Sequence, residues 1–230
     1  MKSAMRAMIL AAGRGERMRP LTDVLPKPLL LVSGHRLIEY HLQRLVTAGY
    51  REIVINTAWL GHLLPAVLGD GSRYGAHIAY SHERPEALET GGGVFQALPL
   101  LGDRPFLLVN GDIWTDIDFR TVELPPQSQA HLVLVSNPPQ HPRGDFILRD
   151  GRIGEHDDAT SWTYSGVGIY THEFFRDCQP GKFPLLPLLR RAMVDDALTG
   201  QLHAGRWHDI GTPLRLTMLD LELRGDRPAG

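Results

Sequence analysis

Residues 7–12 and Phe106–Asn110 are short, unbroken apolar runs followed by glycine. Such runs predict strands buried on both faces of a sheet. Between residues 37 and 48, Leu37, Ile38, Leu42, Leu45 and Val46 recur every three to four positions, and Gly49 follows. That spacing predicts an amphipathic helix with a glycine stop. Residues 53–57 and 77–81 read as further strands, and residues 60–68 and 93–98 as helical segments. Strands alternating with helices predict an α/β fold: a Rossmann-like mixed, mainly parallel sheet with helices on both faces.

The pattern changes in the second half. Residues 131–136 and 164–170 read as strands, and residues 146–153 as a hairpin turning at Asp150-Gly151. Residues 185–193 and 213–224 are helical in pattern, the second introduced by Thr212 as N-cap and Pro213 in its first turn. Residues 226–230 read as a frayed tail. With no repeat, low-complexity tract or linker, residues 1–230 are expected to form one domain.

Composition narrows the class. A chain of 230 residues buries roughly two-thirds to three-quarters of its unfolded surface, so its core needs no staples. The single cysteine, Cys178, excludes an internal disulfide framework and fits a reducing, cytoplasmic setting. A net charge of −2 argues against nucleic acid as partner, and the apolar runs are too short for a membrane span or signal-peptide core. Of 24 basic residues only Lys2, Lys27 and Lys182 are lysine, and Lys27 stands between two prolines. A bias toward arginine explains the scarcity, but not that placement.

The densest chemical signal is the stretch from Leu10 to Thr22, containing Ala11-Ala12-Gly13-Arg14-Gly15-Glu16-Arg17, with Pro26-Lys27-Pro28 after it. Glycines after a buried strand let backbone amides approach an anion; Arg17, Arg19 and Lys27 add positive charge, the last held by its prolines. The loop lacks the Gly-Lys-Ser/Thr of a Walker motif and the third glycine of a dinucleotide fingerprint. Taken alone, it fits an ordinary glycine turn as well as a phosphate cradle.

Two carboxylates occupy comparable places. Asn110-Gly111-Asp112 follows a central strand, and Asp209-Ile210-Gly211-Thr212-Pro213 precedes a helix. Each alone fits a turn or a cap. Together they suit magnesium, which takes oxygen ligands from one or two carboxylates and completes its shell with water and phosphate. The 11 histidines show no zinc spacing. Glu83 and Leu88-Glu89-Thr90-Gly91-Gly92-Gly93 follow the third strand, where glycines opening a helix would admit a flat or anionic ligand.

The whole string, L-A-A-G-x-G-x-R with P-L-T and P-K-P, resembles the signature of the sugar-phosphate nucleotidyltransferases. The resemblance implies their nucleotide-diphospho-sugar transferase fold, with about 1–125 as the nucleotide-binding half and about 126–230 as the sugar-binding half with the C-terminal helices. It implies Arg17, Lys27, Asp112 and Asp209 as catalytic, the two aspartates holding Mg2+. Nucleotide contacts would come from Ala11, Ala12, Gly13, Gly15, Glu16, Arg17, Lys27, Glu83, Thr90, Gly91, Gly92 and Asn110. Glu83 would accept a hydrogen bond from uracil, although a glutamate also suits guanine. Glu16 departs from the small hydroxyl residue usual there, so its side chain would turn away or meet the magnesium shell.

On the sugar side the implied contacts are Gly144, Asp145, Glu155, Ser165 and Gly166. Many hexose-phosphate members have a lysine after the glutamate. Here the string is Gly154-Glu155-His156-Asp157-Asp158, which speaks against a simple glucose or mannose phosphate. With E-T-G-G-G, R-G-D-F and Y-S-G-V-G-I-Y, the chain is most similar to the N-acetylmuramate-1-phosphate uridylyltransferases. That subgroup implies UTP and N-acetyl-α-muramate 1-phosphate as substrates, in cell-wall sugar recycling. Two alternatives remain: GTP or dTTP with a hexose 1-phosphate, or an inactive nucleotide-binding regulatory module. Oligomeric state is left open and is compatible with a monomer.

Overall fold

The computed structural model describes residues 5–155 and 160–225. The strands are β1 (Ala7–Leu10), β2 (Leu31–Val32), β3 (His35–Arg36), β4 (Glu52–Thr57), β5 (His77–His82), β6 (Phe106–Asn110) and β7 (Ile113–Thr115). There follow β8 (Ala130–Val135), β9 (Phe146–Arg149), β10 (Arg152–Glu155), β11 (Ser161–Tyr170), β12 (Leu198–Leu202) and β13 (Trp207–Asp209). The α-helices are α1 (Leu37–Thr47), α2 (Leu63–Leu68), α3 (Glu89–Leu101), α4 (Leu186–Val194) and α5 (Pro213–Gly225).

Nine strands form one mixed sheet in the order β5-β4-β1-β6-β11-β8-β12-β10-β9. Its first four strands are parallel. Past β6 the pairing is antiparallel, apart from the parallel pair β8–β12. Strand β11 also pairs with β9, so β11, β8, β12, β10 and β9 close on one another.

Alternation along the strands sorts two cores. Ile9, Ile55 and Val109 face α1 and α2 through Ile38, Leu42, Leu64 and Leu68. Met8, Val54 and Leu108 face α3 and α4 through Val94, Ala97, Leu189 and Ala192. Neighbouring positions on one strand thus bury against opposite helical layers, which is why the runs lack polar interruptions. Helix α5 covers a third cluster containing Met18, Val32, Trp114 and Leu219.

The chain leaves β1 outward to β4 and β5, then returns to place β6 on the other side of β1. The C-terminal ends of β1 and β6 therefore flank a topological switch point, where open α/β sheets bind ligands. Gly111 sits there, its amide donating to Leu10 O at 2.9 Å, and any Cβ on it would stand 2.5 Å from that oxygen.

Several elements differ from their sequence pattern. The helix expected from residue 60 begins at Leu63, because Leu60 has φ 47°, a left-handed conformation that cannot continue a helix. The helix expected at 93–98 spans Glu89–Leu101 and takes in all three glycines. Strand β12 carries Thr199-Gly200-Gln201, so no apolar run announces it. The 150–151 turn has φ 50° and 77°, the paired positive values of a two-residue hairpin loop. Thr212 Oγ1 accepts the Arg215 amide at 3.3 Å, the N-cap bond expected for α5. His156, Asp157, Asp158, Lys2 and residues 226–230 lie outside the described residues.

Candidate active site

A cavity of about 370 Å³ opens at the ends of β1, β4 and β6. Ala11, Ala12, Gly13, Gly15, Glu16, Arg17, Lys27, Glu83, Thr90, Asn110 and Asp112 all line it. The loop after β1 is shaped by Gly15, whose φ of 67° favours glycine and whose Cβ would meet Thr22 Cγ2 at 2.9 Å. Thr22 Oγ1 donates to Gly15 O at 2.8 Å and so ties the loop to the turn that follows.

Lys27 begins a short helical turn after the extended Pro26 and is buried to 7% exposure. Its Nζ lies 2.8 Å from Asp112 Oδ2. Charge burial of this kind needs a partner, and the carboxylate supplies it. Arg17, by contrast, is exposed and ends the same loop.

Asp209 arrives from the far end of the chain. Strand β13 runs antiparallel to β7 with Asp209 opposite Ile113, and the Ile210 amide donates to Asp112 O at 2.9 Å. The two aspartates are thus carried on paired segments, with Gly211 lining the cavity between them and the glycine loop. Each carboxylate holds a cation of the chain: Asp112 holds Lys27, and Asp209 holds Arg215. Asp112 lines the cavity, whereas Asp209 does not and stands just before Gly211, which does. Carboxylate oxygens on two paired segments are the donors magnesium takes, and it needs few protein ligands. Among the described residues no cluster of three or more His, Cys, Asp or Glu offers an all-protein metal cage.

On the other side, Asn56 at the end of β4 bridges two loops. Its Oδ1 accepts the Ala11 amide at 2.6 Å, and its Nδ2 donates to Glu83 Oε1 at 2.6 Å. Glu83 Oε2 accepts the Leu88 amide at 2.6 Å. Burial raises the Glu83 pKa, opposed by the Leu88 and Asn56 hydrogen bonds. Glu83 therefore braces the pocket wall between β4 and α3 as well as lining it.

Several expected site residues lie outside the lining of this cavity. Gly91 and Gly92 do not line the cavity; they seat α3 on the 181–183 segment. A Cβ at Gly91 would stand 2.5 Å from Phe183 Cδ2, and one at Gly92 would stand 2.1 Å from Gly181 O. Ser165 is fully buried in a bulge of β11, its Oγ accepting the Val167 amide at 3.1 Å, and is not part of the cavity lining. Glu155 pairs with Arg190 of α4 at 2.8 Å and does not line the cavity.

Gly144 and Asp145 also lie outside the lining, in a tightly bonded loop. Asp145 Oδ2 accepts the Tyr164 amide at 2.8 Å and Oδ1 lies 2.9 Å from His141 Nε2. Gly166, with φ 80°, presses on Asn110: its Cβ would stand 2.6 Å from Asn110 Nδ2. This bulge joins the second half of the chain to the cavity wall.

Two residues with a place here escaped sequence reasoning. Asn56 ends a buried strand, where a lone amide is a recognisable signal. Arg215 lies one turn into α5, and nothing in the sequence separates it from a surface arginine.

Comparison with known proteins gives a consistent picture. The profile of the nucleotidyl transferase family matches residues 6–146. An N-acetylmuramate alpha-1-phosphate uridylyltransferase of Neisseria meningitidis serogroup B is 54% identical over 220 residues, covering 92% of this chain and 95% of that protein. One from Caulobacter vibrioides is 37% identical over 222 residues, covering 90% and 92%. A mannose-1-phosphate guanylyltransferase of Mycobacterium tuberculosis is 34% identical over 90% of this chain and 61% of its own length. A Bacillus anthracis protein described as a glucose-1-phosphate thymidylyltransferase, crystallised with sucrose, superposes with TM-score 0.83 at 22% identity over 98% of this chain and 97% of that one.

Proposed function

This chain belongs to the nucleotidyl transferase family, and from that membership we propose that it transfers a uridylyl group from UTP to N-acetyl-α-muramate 1-phosphate. The products are UDP-N-acetylmuramate and pyrophosphate. Likeness to relatives named for N-acetylmuramate alpha-1-phosphate uridylyl transfer, sustained over nearly the whole of both chains, carries the reading. We propose with it a cytoplasmic role in cell-wall sugar recycling. Among the described residues no helix is long and apolar enough to cross a membrane.

A sugar-phosphate oxygen forms a bond to the α-phosphorus of UTP while the bond from that phosphorus to pyrophosphate breaks. The attacking phosphate is already anionic at neutral pH, so no protein nucleophile is needed. Catalysis then rests on positioning and on neutralising charge. Backbone amides of residues 13–15 approach the phosphates, Lys27 supplies a fixed buried cation, and Arg17 supplies a fork at the loop's end. Asn56 and Glu83 form the wall on the nucleobase side. Asp112 and Asp209 would hold magnesium, which supplies charge neutralisation to the phosphates when bound.

The test is a substrate matrix read by pyrophosphate release with magnesium: UTP, GTP and dTTP against N-acetylmuramate, glucose and mannose 1-phosphates. Turnover confined to UTP with the muramate phosphate is expected. Preference for GTP or dTTP with a hexose phosphate overturns the substrate assignment, and UTP binding without turnover on any sugar phosphate overturns the enzyme reading.

A further inference from the structure

Gly211 has an unusual pair of neighbours. A Cβ on it would stand 2.6 Å from Arg215 Nη2 and 3.2 Å from Arg17 Nη2. The two guanidinium groups therefore converge on one glycine of the cavity wall, from opposite ends of the chain. Arg215 spends Nη1 on Asp209, and its Nε lies 3.4 Å from Thr212 Oγ1. Among the described residues nothing accepts a hydrogen bond from Arg215 Nη2 or from Arg17.

Like charges at this spacing repel, and a fold does not bring them together over a glycine without compensation. Asp209 offsets only one of them. Arg215 is largely buried, its side chain 20% exposed, and its fork is pinned by Asp209 and Thr212. Arg17 and Gly211 line the cavity. Arg215 is not itself in the lining, but its Nη2 stands against Gly211, so an oxyanion over that glycine would receive donors from both arginines.

We propose that Arg215 is a second pyrophosphate-binding residue, acting with Arg17 across Gly211 on the two phosphoryl groups that leave. The assignment rests on the nucleotidyl-transfer reading above and deepens it. Asp209 holds the guanidinium in place beforehand, so little ordering remains when the anion arrives. Glycine at 211 is required because any side chain would occupy the space between the two forks.

The experiment is calorimetric titration of inorganic pyrophosphate, and separately of UMP, into the full chain with magnesium. It compares the wild type with Arg215→Gln and Arg215→Lys. Arg215→Gln should weaken pyrophosphate by about ten-fold or more and leave UMP within about two-fold, because UMP lacks the leaving phosphoryl groups. Arg215→Lys should recover part of the loss, and serves as the test if the glutamine variant does not fold.

Pyrophosphate affinity unchanged in folded Arg215→Gln overturns the assignment. So does equal weakening of both ligands, which marks a structural role, or a loss that saturating magnesium restores, which marks support of Asp209 alone. A wild type that binds no pyrophosphate defeats the transferase reading itself, and is thereby distinguished from failure of Arg215.

Discussion

Lys27 Nζ and Asp112 Oδ2 meet at 2.8 Å, joining a proline-flanked lysine of the first loop to the aspartate that follows β6. The lysine side chain is 9% exposed and the aspartate 44%, so the pair presents its acid to the cavity and keeps its base inside. Asp112→Asn keeps the shape and a hydrogen-bond acceptor for Lys27 while removing the charge. It is expected to cost about 100-fold or more in turnover, with thermal unfolding showing the chain still folded. Near-wild-type pyrophosphate release at saturating magnesium would sink the metal role of this aspartate.

Burial of His41 makes stability depend on pH. The ring is wholly enclosed, neither nitrogen makes a well-formed hydrogen bond, and burial pushes its pKa down to about 4. In the unfolded chain it titrates near 6.5, so the native state favours the neutral ring. Its contribution is fully present above about 6.5 and is lost as pH falls from there to about 4, on the order of 3 kcal/mol in all. Urea unfolding of His41→Leu against the wild type should show that slope removed. Parallel curves for the two proteins across this window would refute it.

Adjacent glycines of α3 should behave differently. In Gly92→Ala the new methyl meets Gly181 O, a backbone atom that cannot step aside, at 2.1 Å. In Gly93→Ala it meets Glu83 Oε1 at 2.4 Å and Asn56 Nδ2 at 3.0 Å. Helix propensity favours alanine by about 1 kcal/mol at both. Gly92→Ala is expected to lower the melting temperature with little change in the KM for UTP. Gly93→Ala is expected to raise that KM by displacing the Glu83 brace. Steady-state kinetics beside thermal melts separates the two, and matching effects would show that the brace does not shape the pocket.

Asn56→Ala removes both ends of the bridge between Ala11 N and Glu83. Leaving buried polar groups unpaired costs about 1–3 kcal/mol per group. A raised KM for UTP with an unaltered KM for the sugar phosphate is expected, measured with each substrate varied in turn. A change confined to the sugar phosphate would place Asn56 on the wrong side of the reaction.

The sequence was legible where one physical requirement dominated. Strands β1 and β6 are buried on both faces, so their residues have to be apolar, and the runs announce them. The hairpin at Asp150-Gly151 and the Thr212 cap were readable because local geometry alone selects those residues. The glycine triplet signals close approach without saying to what: the neighbours are Phe183 for Gly91 and Gly181 for Gly92, but Glu83 and Asn56 of the cavity wall for Gly93. Ser165 is ambiguous for a similar reason, since a hydroxyl suits a bulge, where it accepts the Val167 amide, as well as a sugar. Strand β12 was hidden by Thr199, which faces His131 Nδ1 at 2.9 Å, a polar pairing that only the folded sheet creates. Arg215 was invisible because its meaning lies in Arg17, almost the full length of the chain away.

The sheet's spatial order also constrains how the chain is made. Strand β8 is buried at all six positions, yet neither neighbour, β11 nor β12, precedes it in the chain. Its link to the earlier strands runs wholly through β11, which pairs with β6 on one side and with β8 on the other. During synthesis Ala130–Val135 therefore emerges before any lawful partner exists, while β1, β4, β5 and β6 are already able to pair. A ribosome pausing before Ser161 would present a half-built sheet whose last edge, β6, invites a strand from a neighbouring chain.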